Sequence, residues 1–200
     1  MEKLIDNIYR ICVPFDNIYT SVFVVKCEDK YVLLDSATTD FDVEEYIYPK
    51  LKEAGIKPDL IIISHLHSDH SGGVEKLKEY FPGVKIAMFG DKLFKDRQLK
   101  DSEVIYGVLK ILNLKGHSND SLAVLDLRTD TVLTFDCVQL LGIGRYRNGI
   151  ADKKEYLNSL NRLKALNAEN LIASHDYDPL GFSAWGKDKV LEYLDYAMNV

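Results

Sequence analysis

Ile63-Ser64-His65-Leu66-His67-Ser68-Asp69-His70 places three of the five histidines of this 200-residue chain within six residues, with an aspartate among them. A His-x-His-x-Asp-His segment offers four metal-binding side chains on one short loop. The run Leu60-Ile61-Ile62-Ile63, after Pro58-Asp59, reads as a strand buried on both faces that supports this loop rigidly. The other two histidines, in Gly116-His117-Ser118 and Ala173-Ser174-His175-Asp176, also follow apolar runs. Val108 to Leu114 leads into His117, Thr131 to Phe135 into Asp136, and Leu171 to Ala173 into His175. Ligands in α/β architectures gather outside the carboxyl ends of strands, so four runs ending at such side chains point to one common site. Imidazole with carboxylate is a borderline-hard donor set that suits zinc, iron or manganese and is too poor in soft donors for copper(I) or iron-sulfur. Seven side chains of this kind suffice for two ions.

Outward from this loop, strand and helix patterns alternate. Ile8 to Val13, Tyr19 to Cys27 and Lys30 to Leu34 are β-branched segments separated by short polar turns, an antiparallel opening meander. Val43, Tyr46, Ile47 and Leu51 recur at helical spacing, with Pro49 either kinking that helix or starting a second turn. The spacing predicts a helix over Val74 to Tyr80 after Gly72-Gly73, a strand over Lys85 to Phe89, and a hairpin of Leu122 to Leu127 with Thr131 to Phe135. Asp152 and Glu155 form a capping-box pattern before a helix that runs to Asn167, and Val190, Leu191, Leu194 and Ala197 mark a closing helix.

The length suits one domain over residues 1–200, and no linker, repeat or low-complexity tract interrupts it. With 46% apolar residues and a net charge of -6, the chain reads as an ordinary soluble globular protein. It lacks the Lys/Arg clusters of a nucleic-acid binder and any apolar run long enough for a signal-peptide core or a membrane span. Cys12, Cys27 and Cys137 are odd in number and widely spaced, which fits reduced thiols, a reducing compartment and a cytoplasmic location.

The segment His65, His67, Asp69 and His70 resembles the signature of the metallo-β-lactamase superfamily without substitution. The later motifs of that family also follow in order: Gly116-His117-Ser118, Asp136 after a strand, and His175 after the last strand. The resemblance covers about residues 6 to 178. It implies an α/β fold, the four-layer αββα sandwich of two mixed sheets flanked by helices. It further implies one ion on His65, His67 and His117, a second on Asp69, His70 and His175, and Asp136 bridging the two. Asp35 matches an early aspartate of the family that orients ligands from behind and binds no metal. The family usually has a glycine before the bridging aspartate, where this chain has Phe135, and the adjacent Cys137 is itself a possible ligand. Placing Asp136 at the strand end leaves Cys137 as a small buried residue. For Asp69 the competing reading is a cap on the following helix.

Two divalent ions, zinc foremost with iron or manganese as alternatives, would hold a water that is deprotonated near neutral pH and polarise an acyl carbonyl. The expected activity is therefore metal-dependent hydrolysis of a small ester-like bond in a small-molecule substrate, with a metal-bridging hydroxide as nucleophile and Asp69 and Asp136 as its catalytic carboxylates. Thioesters of the hydroxyacylglutathione type and lactones lead as substrates. Longer-built hydroxyacylglutathione hydrolases carry an extra helical domain for which this chain leaves no room. Arg145 and Arg147, after Gly142-Ile143-Gly144, resemble a Gly-x-Gly-Arg stretch of thioesterase-like members and are candidate substrate contacts, the alternative being ordinary solvated arginines. The readings from other classes are a mononuclear iron sulfur oxygenase of the persulfide-dioxygenase type and a nonenzymatic metal-binding or sensing protein. Sequence does not address the oligomeric state.

Overall fold

The computed structural model describes residues 1–140, 150–177 and 179–199. The chain divides into two compact units, Met1–Leu99 and Lys100–Val200. In the first, an antiparallel meander forms from β1 (Glu2–Ile5), β2 (Ile8–Phe15), β3 (Ile18–Cys27) and β4 (Lys30–Leu34), because each β-branched run is followed by a two-residue turn. Asn7, Asp16 and Glu28 in these turns adopt positive φ. Three parallel strands extend the sheet, β5 (Leu60–Ile62), β6 (Lys85–Met88) and β7 (Arg97–Gln98), giving the order β1-β2-β3-β4-β5-β6-β7.

The segment after β4 starts with the short helix α1 (Asp40–Asp42), capped reciprocally by Thr39 and Asp42. It widens into a π-helical turn over Val43–Ile47 and continues as α2 (Tyr48–Glu53) with Pro49 in its first turn. Pro49 accounts for the irregularity, because a proline ring inside a regular helix clashes with the carbonyl four residues back; in the wider turn Tyr48 N–H donates to the Val43 carbonyl. The helices α3 (Ser68–Ser71) and α4 (Val74–Tyr80) follow β5. Val43, Ile47, Leu51, Val74 and Leu77 bury one face against Ile11, Val24, Leu33, Ile61 and Ile86 of the sheet. Each such side chain contributes about 1.5–3 kcal/mol of transfer free energy.

In the second unit β8 (Val104–Ile105), β9 (Leu109–Asn113), β10 (Leu122–Asp126) and β11 (Thr131–Phe135) are antiparallel neighbours. Next come β12 (Asn170–Ala173), parallel to β11, and the antiparallel edge strand β13 (Ser183–Trp185). Tyr156, Leu160 and Leu163 of α5 (Lys153–Leu166) pack on this sheet with Val190, Tyr193 and Leu194 of α6 (Lys187–Met198). The sequence-based strands and helices match to within a few residues. The short elements β1, β7, β8, β13 and α3 were not anticipated, because two to four residues carry no measurable period. Among the described residues no helix is long and apolar enough to cross a membrane.

Asp152 caps α5 by accepting from Glu155 N–H at 3.0 Å. Replacing it with alanine removes that acceptor, and urea denaturation should register a loss of about 1 kcal/mol. An unchanged midpoint would show that the helix start is held by other contacts.

Candidate metal centre

β4 and β5 lie side by side and parallel, so the chain leaves both at the same edge of the sheet. Asp35, directly after β4, takes φ +68 and donates its N–H to the Ile62 carbonyl at 2.9 Å. Its buried carboxylate accepts from Ser64 N–H at 2.7 Å and from Ser64 Oγ at 2.8 Å, and lies 2.7 Å from His70 Nδ1. A carboxylate can only accept here, so His70 carries its proton on Nδ1. Ser64 Oγ, having given its hydrogen to Asp35, accepts from His65 Nδ1 at 3.0 Å. One carboxylate thus sets the tautomer of two imidazoles, one directly and one through a hydroxyl, and leaves both Nε2 lone pairs for a metal. Burial pushes the Asp35 carboxyl above its ordinary range, while the His70 and Ser64 contacts pull it back.

Asp69 Oδ2 lies 3.1 Å from His70 Nε2, and the His65 ring sits 4.2 Å from that of His70 and 4.5 Å from that of His67. His65, Asp69 and His70 are buried; His67 is exposed. The N-cap of α3 is His67, not Asp69, and the Asp69 carboxylate turns to His70, so the capping role weighed for it does not apply. The loop after β4 grips α3 closely: Ser36 donates both N–H and Oγ–H to the His70 carbonyl, at 2.8 and 3.0 Å. A Cβ on Gly72 would stand 1.8 Å from the Thr38 carbonyl oxygen, so this approach admits only glycine.

The second unit gathers three ligand-type residues of its own. His175 Nε2 lies 3.3 Å from Asp136 Oδ1, and His117 Nε2 lies 3.6 Å from Asp136 Oδ2. All three are buried. Gly116, at φ +129, leaves no space for a Cβ, which would meet Tyr156 Cα at 2.3 Å. Its carbonyl accepts from Ala151 and Asp152 N–H, which ties the His117 loop to the start of α5. Phe135, just before Asp136, takes φ +49, and the β11–β12 pairing slips between Leu133 and Phe135. That left-handed conformation is the physical reason a glycine suits this position. Cys137 points into the apolar core, its Sγ 3.2 Å from the Leu122 carbonyl, while Asp136 faces the two imidazoles.

The donors fit a metal: imidazole nitrogens converge on carboxylate oxygens, and buried carboxylates of this kind call for a compensating positive charge. Arg145 and Arg147 lie outside the described residues. The Tyr177 ring packs edge-on to His175 at 5.8 Å. Two contributors were not foreseen. Ser64, beside the histidine cluster, was legible as a hydroxyl adjoining a ligand; Gln139, whose amide lies 2.8 Å from His117 Nδ1, is brought there by tertiary structure alone. Gly72→Ala should destabilise the protein by about 3 kcal/mol through overpacking against backbone. Gly55→Ala, at φ +66 in open space, should lose only about 1 kcal/mol. Equal losses in chemical denaturation would contradict the close approach at Gly72.

The family model described as "Metallo-beta-lactamase superfamily" matches residues 16–107. A beta-lactamase-like protein 2 homolog of Caenorhabditis elegans is 26% identical over 216 residues, covering 100% of this chain and 70% of that protein. A hydroxyacylglutathione hydrolase of Francisella philomiragia is 25% identical, covering 86% of this chain and 64% of its own length. The chain spans about half to seven tenths of the curated relatives it matches. Among solved structures, a metallo-beta-lactamase from Pontibacter korlensis superposes with a TM-score of 0.77 at 17% identity, covering 99% of this chain and 98% of that one. The likeness shows the α/β fold expected: two mixed sheets with flanking helices.

Proposed function

Because residues 16–107 match the metallo-β-lactamase superfamily and the fold is that of metallo-β-lactamases, we propose that the chain is a dinuclear metal-dependent hydrolase of a small ester-like bond, a thioester or a lactone. One observation carries the reading: in each unit, imidazole and carboxylate side chains gather at strand ends, with the far ring nitrogens of His65, His70 and His117 in hydrogen bonds. In this reading the two half-sets combine. His65, His67 and His117 would hold one divalent ion and Asp69, His70 and His175 the other, groupings that their donor atoms allow, and Asp136 would be shared between them. The donors suit zinc, with iron or manganese as alternatives. The two units then work as one domain over residues 1–200. Three free cysteines fit a cytoplasmic enzyme.

Two such ions, when bound, supply an acidified water and a Lewis acid for the acyl carbonyl. The chain's own residues do the rest. Asp35 and Ser64 keep His65 and His70 in the ligating tautomer, Asp69 would help to orient the attacking water, and Asp136 would stand between the two ligand sets. No serine or cysteine nucleophile is required. Thioesters find support in the likeness to a hydroxyacylglutathione hydrolase over 86% of the chain. Arg145 and Arg147 would pair with a carboxylate or phosphate on the substrate, since guanidinium groups gain most from such anions.

Metal quantification on natively purified protein, followed by a panel of thioesters, lactones, lactams and phosphodiesters, tests the reading. Two ions per chain and turnover of a thioester or lactone are expected. A single iron, or no turnover of any ester, would overturn it. His117→Ala should lower kcat/KM at least about 100-fold by removing a metal ligand, with Cys137→Ser within about threefold of wild type. The reverse pattern would mean that Cys137, not Asp136, faces the metal. Changing Arg145 and Arg147 together to alanine should raise KM for anionic acyl substrates and spare neutral lactones. Equal losses on both kinds would remove the pair from recognition.

A further inference from the structure

Gln139 stands three residues beyond Asp136 and ligates nothing in the scheme above, yet its side-chain amide lies 2.8 Å from His117 Nδ1. Its backbone is pinned: Tyr156 Oη accepts from Gln139 N–H at 3.0 Å and donates to the Gln139 carbonyl at 3.2 Å. The same Tyr156 is fully buried and abuts Gly116, the residue before His117. The backbones that carry the amide and the imidazole therefore both rest on one residue in the first turn of α5.

The chemistry of an amide differs from that of the carboxylate behind His70. With its nitrogen toward the ring, Gln139 donates to Nδ1 and leaves the ring proton on Nε2, 3.6 Å from Asp136 Oδ2. A half-turn of the amide brings Oε1 to the same place, where it accepts from Nδ1–H and frees the Nε2 lone pair. An amide can serve both tautomers, whereas Asp35 can serve His70 in only one. We infer that Gln139 is the positioning residue of His117, turning its amide oxygen to Nδ1–H and thereby presenting Nε2 to a divalent cation. The inference rests on the metal-centre reading above and adds to it that the His117 side of the centre is held by a neutral, reversible partner.

The test is zinc affinity by chelator competition on the full chain, for wild type, Gln139→Leu and Gln139→Glu. Leucine removes the acceptor and should weaken one of the two zinc steps about 10- to 100-fold, as loss of an outer hydrogen bond to a ligating histidine does. Glutamate restores an acceptor and should return that step to within about threefold of wild type or tighter, a rescue that mere space-filling would not produce. Nitrogen-15 NMR of the zinc-loaded wild type supplies a measurement that needs no variant, and the His117 proton should be on Nδ1. Two zinc ions bound by Gln139→Leu as tightly as by wild type, a glutamate variant no better than leucine, or a His117 ring without a proton on Nδ1 would each overturn the inference and leave the hydrolase reading standing. A wild-type chain that binds no zinc would overturn that reading, and the inference with it.

Discussion

The Asp35 carboxylate, buried between the ends of two parallel strands, is the contact on which the first half of the site depends. Burying an ionised carboxylate costs several kcal/mol unless its oxygens are hydrogen-bonded and a positive or donating partner lies close. Here Ser64 supplies two donors and His70 a third. These same groups fix the start of the histidine loop and the ring of one histidine, so the price of the buried charge is met by the very residues it orients. Asp35 and Ala37 both take positive φ, at 68° and 61°, and such strain persists only where surrounding bonds over-determine the backbone. The paired hydrogen bonds from Ser36 to the His70 carbonyl provide that determination.

In the second unit the group behind a ligand-type histidine is neutral, the Gln139 amide at His117 Nδ1. Strand β11 ends in a slipped pairing at Phe135, whose positive φ turns the chain so that Asp136 faces His117 and His175 while Cys137 enters the core. A left-handed conformation at a non-glycine residue costs roughly 1–2 kcal/mol. The phenyl ring is wholly buried, and such burial is worth roughly 1.5–3 kcal/mol, which offsets the strain. A phenylalanine can therefore stand where a glycine would be the easier choice.

Much of this was legible in the sequence, for identifiable reasons. Strand β5 is buried on both faces and so reads as an unbroken apolar run, which also located its carboxyl end and the side chains just beyond. The ligand-type residues could be found because His65, His67, Asp69 and His70 lie on one loop and because His117, Asp136 and His175 each follow such a run. Pro49 signalled a disturbance in its helix, but whether a kink or a restart depends on backbone packing that a local pattern does not encode. The link from Gln139 to His117 spans 22 residues, and the brace from Tyr156 to Gln139 spans 17. Contacts of that range between ordinary polar residues leave no period, spacing or composition to read.

Anomalous diffraction from zinc-loaded crystals tests the central claim most directly, since it locates each ion and names its ligands without reference to any substrate. The account predicts two peaks per chain about 3.5 to 4 Å apart, one within reach of His65, His67 and His117, the other within reach of Asp69, His70 and His175, with Asp136 between them. A single peak, or a second ion held by Cys137 while Asp136 turns away, would contradict it.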